Sequence, residues 1–211
     1  MKKIICIIIL LLITSYVIYD KNCDNGIDLS HHNKLSENEV CNIIDKKDIK
    51  FAYLKASEGK NFKDNKFDYF YNIFNKKGVL VGAYCFYRDD INPVDQFNNF
   101  QNVVKNYNMD LIPVVDFEDK GFDNKYSKQE RLNNLKKLVN LFHHYYGKLP
   151  VIYCSPISYY ITYPEIKDFS NLFWLSGNIR LFNTHILQKR MVYNNIDIDF
   201  NCVYNIGKYK L

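Results

Sequence analysis

The chain has 211 residues, 47% of them apolar and 24% charged, with a formal net charge of +5. That balance supports a sizeable core and excludes a disordered chain. No Lys/Arg block is dense enough for a nucleic-acid surface, whereas mild basicity suits association with an anionic surface such as a bacterial wall.

The chain begins with Lys2 and Lys3 ahead of an apolar stretch from Ile4 to Tyr19. A basic start and a short apolar core form the pattern of a secretory signal peptide, here residues 1–20, and fall short of the ~20 apolar residues of a membrane span. A signal anchor left in place is the alternative. Residues 21–211 read as one domain, with no linker and no internal repeat. The expected protein is a monomer, secreted or held in an endomembrane or lysosome-like compartment, without stable membrane association after cleavage.

After the leader, short apolar runs alternate with amphipathic stretches. "GIDLS" (26–30) predicts a first strand, and "SENEVCNIIDKKD" (36–48) a helix whose Ser36 and Glu39 have capping-box spacing. "FAYLKAS" (51–57) predicts a strand. "KFDYFYNIFNKKG" (66–78) predicts a helix, with Phe67, Phe70, Tyr71 and Phe74 on one face and Gly78 as its stop. A third strand over 79–87 leads to Asn92 and Pro93, an N-cap and first-turn pair for a helix to about Tyr107. "LIPVVDFE" (111–118) is a fourth strand, and Ser127 with Glu130 caps a long helix that Gly147 ends. Strands over 150–155, 171–176, 184–188 and 196–204 follow, with little helix between the last of them.

Strand–helix–strand units at this spacing imply parallel strands joined by right-handed crossovers. About eight strands predict an α/β fold, a modified TIM-like β/α barrel with few helices in its C-terminal part. Such barrels carry their chemistry at the C-terminal strand ends, a rule that puts Asp28, Tyr84, Asp116, Glu118 and Tyr153 around one mouth.

Six cysteines are present. Cys6 lies in the leader, so an odd number remains. Cys23 with Cys41 is a conceivable disulfide in an oxidising compartment, although spacing does not establish a pairing. No CxxC motif supports a metal site, and no cofactor is expected. His31 and His32, adjacent on extended backbone, face opposite ways and do not form a simple metal pair.

The run "PVVDFED" (113–119) ends a buried-looking strand in acids. Asp116 and Glu118 share a face, an electrostatic cost unless the pair is used. Hydrolysis of a glycosidic bond needs a protonated carboxyl for the leaving oxygen and negative charge near the oxocarbenium-like centre. Glu118, nearer the mouth, fits the general acid, and Asp116, deeper, the carboxylate that stays ionised. Cation binding and plain solvation of a loop start are the alternatives. Asp28, between Ile27 and Leu29, and Asp199 add two more acids on apolar strands.

Six segments carry a resemblance. "GIDLSHHN" (26–33), "FAYLKASEGKNFKDNKF" (51–67), "GVLVGAYCFYR" (78–88), "PVVDFE" (113–118), "PVIYCS" (150–155) and "DIDFN" (197–201) resemble, in order, the signature blocks of glycoside hydrolase family 25, the Ch-type lysozymes or N-acetylmuramidases. The resemblance implies a modified β/α barrel. It also implies cleavage of the β-1,4 bond between N-acetylmuramic acid and N-acetylglucosamine in the glycan strands of peptidoglycan. It assigns Glu118 as general acid and Asp116 as partner carboxylate, acting on the substrate's own acetamido group or on a water, with Asp28 and Asp199 as further acids of the groove. Three positions depart from the family: Leu187 stands before Gln188 where tryptophan is common, Asn178 follows Trp174 by four where tyrosine is usual, and Cys85 replaces a histidine. They are expected to thin the aromatic lining around a substrate-binding Gln188.

Tyr84, Phe86 and Tyr153 are candidates for a sugar platform, with barrel core as the plainer reading, and Trp174 favours the groove over the core. Lys55 and Glu58 either touch substrate or form a loop-stabilising ion pair. Lys120, Lys125 and Lys128 either assist binding to anionic polymer or form a solvated face. Two rival functions share this barrel: a non-catalytic wall- or carbohydrate-binding protein, and a hydrolase of another N-acetylglucosamine polymer such as chitin.

Overall fold

The computed structural model describes residues 23–123, 125–166, 172–177, 184–193 and 196–211; the predicted leader and Asn178 lie outside them. In chain order the elements are β1 (Asp24–Leu29), α1 (Glu37–Lys47), β2 (Ile49–Glu58), β3 (Phe62–Lys63), α2 (Phe67–Lys76), β4 (Leu80–Phe86) and α3 (Pro93–Val104). Then come β5 (Val114–Asp116), α4 (Lys128–Tyr146), β6 (Val151–Cys154), α5 (Pro156–Ile166), β7 (Phe173–Ser176), β8 (Thr184–Tyr193) and β9 (Ile196–Val203).

The sheet runs β1-β9-β8-β7-β6-β5-β4-β2-β3, and pairing of β1 with β2 closes eight strands into a barrel with β3 as a short flank. All neighbours from β1 through β8 in the β1-β2-β4-β5-β6-β7-β8 sequence are parallel. The last strand departs from the all-parallel expectation, since β9 is antiparallel to both β8 and β1. The reason is chain length: only residues 194 and 195 separate β8 from β9, and a parallel crossover needs a dozen or more. The barrel is therefore mixed.

Helix ends follow the sequence signals. Both capping boxes form: Ser36 Oγ accepts from the Glu39 amide and Ser127 Oγ from that of Glu130. Asn92 Oδ1 accepts from the Val94 amide ahead of α3, and Gly147, at φ 68°, ends α4 in the left-handed region. One helix was not foreseen. Over Pro156–Ile166 no apolar stripe marks a face, and Pro164 lies inside the helix. Its start was nonetheless encoded, because Ser155 Oγ accepts from the Ser158 amide with Pro156 in the first turn.

Alternation along each strand divides the core in two. Ala52, Leu54 and Ala56 of β2 join Val115, Phe117, Ile152 and Phe173 in the layer between barrel and helices. Phe51 and Tyr53 point inward with Val114, Val151, Tyr153, Trp174 and Ile186. The interior has room for these rings because residues opposite them are small. A Cβ on Gly82 would stand 2.2 Å from the Tyr53 ring. Ile206 and Tyr209 of a C-terminal 3-10 turn close the base, where the Ile112 amide donates to the Tyr209 carbonyl. Each fully buried side chain of this size contributes about 1.5–3 kcal/mol. The base is thus dry and aromatic, so interior positions one or two steps towards the other end form the floor of an open mouth.

A disulfide joins Cys23 to Cys202, beside the β1–β9 pairing. Cys41 is free, which corrects the Cys23–Cys41 expectation. The short spacing of 23 and 41 carried no information, because it is the antiparallel return of β9 that sets Cys202 next to the start of β1.

Candidate active site

The interior positions of successive strands change from apolar at the base to polar at the mouth. On β1 the mouth residue is Asp28, on β2 Lys55, on β4 Tyr84, on β5 Asp116, on β6 Tyr153, on β7 Trp174 and on β8 Gln188. Because β9 runs the other way, its mouth end is its N-terminal half, and Asp197 and Asp199 stand there. These side chains line a cavity of about 570 Å³, with Phe86, Glu118, Glu58, Arg88, His32 and Lys120 at its sides. All nine site residues singled out in the sequence border this one cavity: Asp28, Tyr84, Phe86, Asp116, Glu118, Tyr153, Trp174, Gln188 and Asp199.

Glu118 lies just beyond the end of β5, on extended backbone with φ −118° and ψ 155°. Three contacts fix this segment. The Phe117 amide donates to the Tyr153 carbonyl at 2.8 Å, the Tyr87 amide donates to the Asp116 carbonyl at 2.9 Å, and the Asp89 amide to the Gly121 carbonyl at 3.1 Å. Asp89, whose side chain is fully buried, accepts from Arg131 Nε and from the Asp123 amide, both at 2.6 Å. This ion pair ties the loop after β4 to α4 and to the turn that follows Glu118.

Asp28 is held by amides. Gln188 Nε2 donates to Asp28 Oδ2 at 3.0 Å and Asn201 Nδ2 at 2.8 Å, while the Tyr153 hydroxyl donates to Gln188 Oε1 at 2.7 Å. Gln188 is therefore a bridge between Tyr153 and Asp28, as well as a cavity-lining group. Burial and the facing Asp199 push the Asp28 carboxyl up to about 7, against the pull of Asn201 and Gln188. Asp28 and Asp199 are directly opposed across the β1–β9 ladder, which makes their repulsion unavoidable in this register.

Asp116 differs from its sequence-level portrait as the acid that stays ionised. Burial, then the charges of Glu118 and Asp28, raise its carboxyl well above the usual range, with Lys55 opposing. Among the described residues none hydrogen-bonds its buried Oδ1. Depth here brings dehydration, which favours the neutral acid. Burial also raises the hydroxyls of Tyr84, with Asp116 and Asp28 adding to it, and of Tyr153, with Asp28, Glu118 and Asp116 adding to it.

Trp174 is 2% exposed, packs its ring 5.3 Å from Tyr53 and 5.2 Å from Tyr153, and leaves Nε1 without a partner among the described residues. It belongs to core and cavity floor at once. Lys55 pairs with Glu58 at 2.9 Å and lies over the Phe86 ring at 4.9 Å, so the ion-pair reading of that pair holds, and both residues border the cavity. His31 Nδ1 meets Asp64 Oδ2 at 2.7 Å, a loop contact. Cys85 and Leu187 are buried away from the cavity, Cys85 in the layer beneath the helices. Those two departures therefore leave the groove lining unchanged, contrary to expectation. Sequence reasoning missed Asp197, Arg88 and Asn201 as site residues; period-two spacing from Asp199 was the available signal for Asp197 and Asn201.

The sequence matches the family model described as Glycosyl hydrolases family 25 over residues 27–177. A curated relative, the uncharacterized protein YegX of Escherichia coli strain K12, is 27% identical over 112 residues, 53% of this chain and 40% of that protein. The chain thus matches well under half the length of that relative. Among solved structures, a family 25 glycosyl hydrolase from Bacillus anthracis superposes with a TM-score of 0.70 at 24% identity, over 90% of this chain and 92% of that one. A bacterial lysozyme from Streptomyces coelicolor gives 0.73 at 20% identity, over 88% and 94%. The likeness to both is one of fold.

Proposed function

The chain belongs to glycosyl hydrolase family 25, and on that premise we propose that it is a muramidase cleaving the β-1,4 bond between N-acetylmuramic acid and N-acetylglucosamine in peptidoglycan. The observation that carries the reading is the convergence of Asp116 and Glu118 with Asp28 and Asp199 on one open cavity at the barrel mouth. The lysozyme character of the Streptomyces coelicolor neighbour supports the same substrate.

In this reading Glu118 delivers a proton to the glycosidic oxygen as the bond to the anomeric carbon breaks. The leaving sugar departs as an alcohol, and the electron-deficient carbon is met by the acetamido oxygen of the same sugar or by water. Asp116 faces that acetamido group. Its raised carboxyl makes it, once ionised, a stronger base for the acetamido N–H than an ordinary aspartate. Asp28, with its two amide donors, and Asp199 contribute negative potential opposite.

Action outside the cytoplasm is part of the proposal. It is supported by the basic–apolar leader pattern and by the Cys23–Cys202 disulfide, a bond that persists in oxidising compartments. Incubation with purified peptidoglycan and mass spectrometry of the products tests the reaction, since the new reducing sugar identifies the broken bond. Glu118→Gln should lower the rate by about 10² to 10⁴ while leaving the fold intact. Full activity in that variant, binding without new reducing ends, or cleavage of chitin in place of peptidoglycan would each refute the assignment.

A further inference from the structure

The cavity is lined by six carboxyl side chains, of Asp28, Glu58, Asp116, Glu118, Asp197 and Asp199, and by the basic groups of Lys55, Arg88, His32 and Lys120. Lys55 is committed to Glu58 at 2.9 Å. Arg88 is shared between Glu58 at 3.6 Å and Asp90 at 3.4 Å. His32 is held below its ordinary range by burial and by the neighbouring charges of His31 and Lys55. Lys120 stands apart. It is exposed, it borders the cavity, and among the described residues it has no hydrogen-bond or ion-pair partner.

The backbone that carries Lys120 is fixed. It is the middle residue of the 3-10 turn Asp119–Gly121. The Gly121 amide returns to the Glu118 carbonyl at 2.9 Å, and Asp119 Oδ1 accepts from the Ser158 hydroxyl at 3.2 Å. A Cβ on Gly121 would stand 2.1 Å from the Tyr87 carbonyl oxygen, so the turn is seated directly on the loop after β4. An ammonium group on a fixed turn, two residues from Glu118 and unspent on any described acid, is a built-in counter-charge at one edge of an acidic cleft.

We infer that Lys120 is a specificity-determining residue that selects glycans bearing a carboxylate substituent and sets their register across the cleft. The inference rests on the muramidase reading and extends it. An anionic polymer entering an acid-lined cavity is held best where its own carboxylates fall beside a cation. A glycan with an acid on alternate rings satisfies this in one register out of two, so Lys120 favours the register with the acid-bearing ring at its edge. A neutral N-acetylglucosamine polymer has nothing to present there.

The test measures affinity by calorimetry at low ionic strength, in the Glu118→Gln background so that ligand is not consumed. Three oligomers of alternating N-acetylglucosamine and N-acetylmuramic acid are compared: peptide-free, carrying stem peptides, and with lactyl carboxyls reduced to alcohols. The carboxylated ligand should bind about 2- to 5-fold more tightly than the reduced one, the range of an exposed ion pair. Lys120→Gln should erase that ratio by weakening only the carboxylated ligand, and Lys120→Arg should keep it. A preference shown by the peptide-free oligomer assigns the lactyl carboxylate, and one confined to the peptide-bearing oligomer assigns the stem. A ratio unchanged by Lys120→Gln, equal affinities at the outset, or no binding of any oligomer would overturn the inference. Failure of the muramidase reading is separate, because it shows as absence of new reducing ends from peptidoglycan with the unaltered chain.

Discussion

Asp28 stores a measurable penalty. Its carboxyl is lifted from 3.8 to about 7 by burial and by Asp199, so the folded chain binds a proton there more tightly than the unfolded chain does. Between these values the native state holds more protons than the unfolded state, and stability falls as pH rises. The penalty is absent below about 4 and complete above about 7. A tenfold change in proton affinity corresponds to about 1.4 kcal/mol, which sets an upper bound near ~4 kcal/mol. Asp28 is partly open to the cavity, and solvent screening lowers the expected value to about 1–3 kcal/mol. Asp28→Asn removes the charge while keeping an oxygen for Gln188 Nε2 and Asn201 Nδ2. For a chain of this size the melting temperature should therefore rise by roughly 3–10 °C at pH 8 and scarcely at pH 4. Calorimetric melts of both proteins across that range give the difference curve, from which titrating groups remote from Asp28 cancel. Parallel curves, or a variant less stable at pH 8, would show that desolvation and Asp199 do not govern this carboxyl.

Two further outcomes follow from the scaffold around the site. Asp89→Ala takes the fully buried carboxylate away from the largely buried Arg131 and should cost about 3–5 kcal/mol, read as a lower urea midpoint. Arg131 Nε retaining full protein stability without its partner would contradict the role given to that ion pair. Reduction of Cys23–Cys202 releases a loop of 179 residues in the unfolded chain, and the cost should reach about 5 kcal/mol, seen as a large fall in melting temperature with reductant. An unchanged melting curve would show that β1–β9 pairing alone holds the closure.

What the sequence revealed was local or periodic. Phe51, Tyr53 and Lys55 alternate with Ala52, Leu54 and Ala56, and that period placed β2 and its two faces. Ser36 with Glu39 and Ser127 with Glu130 announced two helix starts in four residues each. The acids at 28, 116, 118 and 199 could be named because a charged residue on an apolar strand is conspicuous. What stayed hidden depended on three-dimensional neighbours. The direction of β9, and with it the partner of Cys23, follows from where the chain returns. The raised carboxyl of Asp116 follows from its burial and from the charges of Glu118 and Asp28, neighbours that the strand's own sequence does not reveal. Helix α5 was masked by Pro164 and by apolar residues spread around its surface.

The pairing of β1 with β9 joins segments from opposite ends of the domain. During synthesis, strands β1 to β7 emerge with nothing to cover the outer flank of β1, and the ring is completed only after residue 203 has left the ribosome. Until then a nascent sheet carries two bare margins, each a template for pairing with another chain. Such distant partners make for slow maturation, and the enzyme's yield in a host cell should depend on how well that interval is chaperoned.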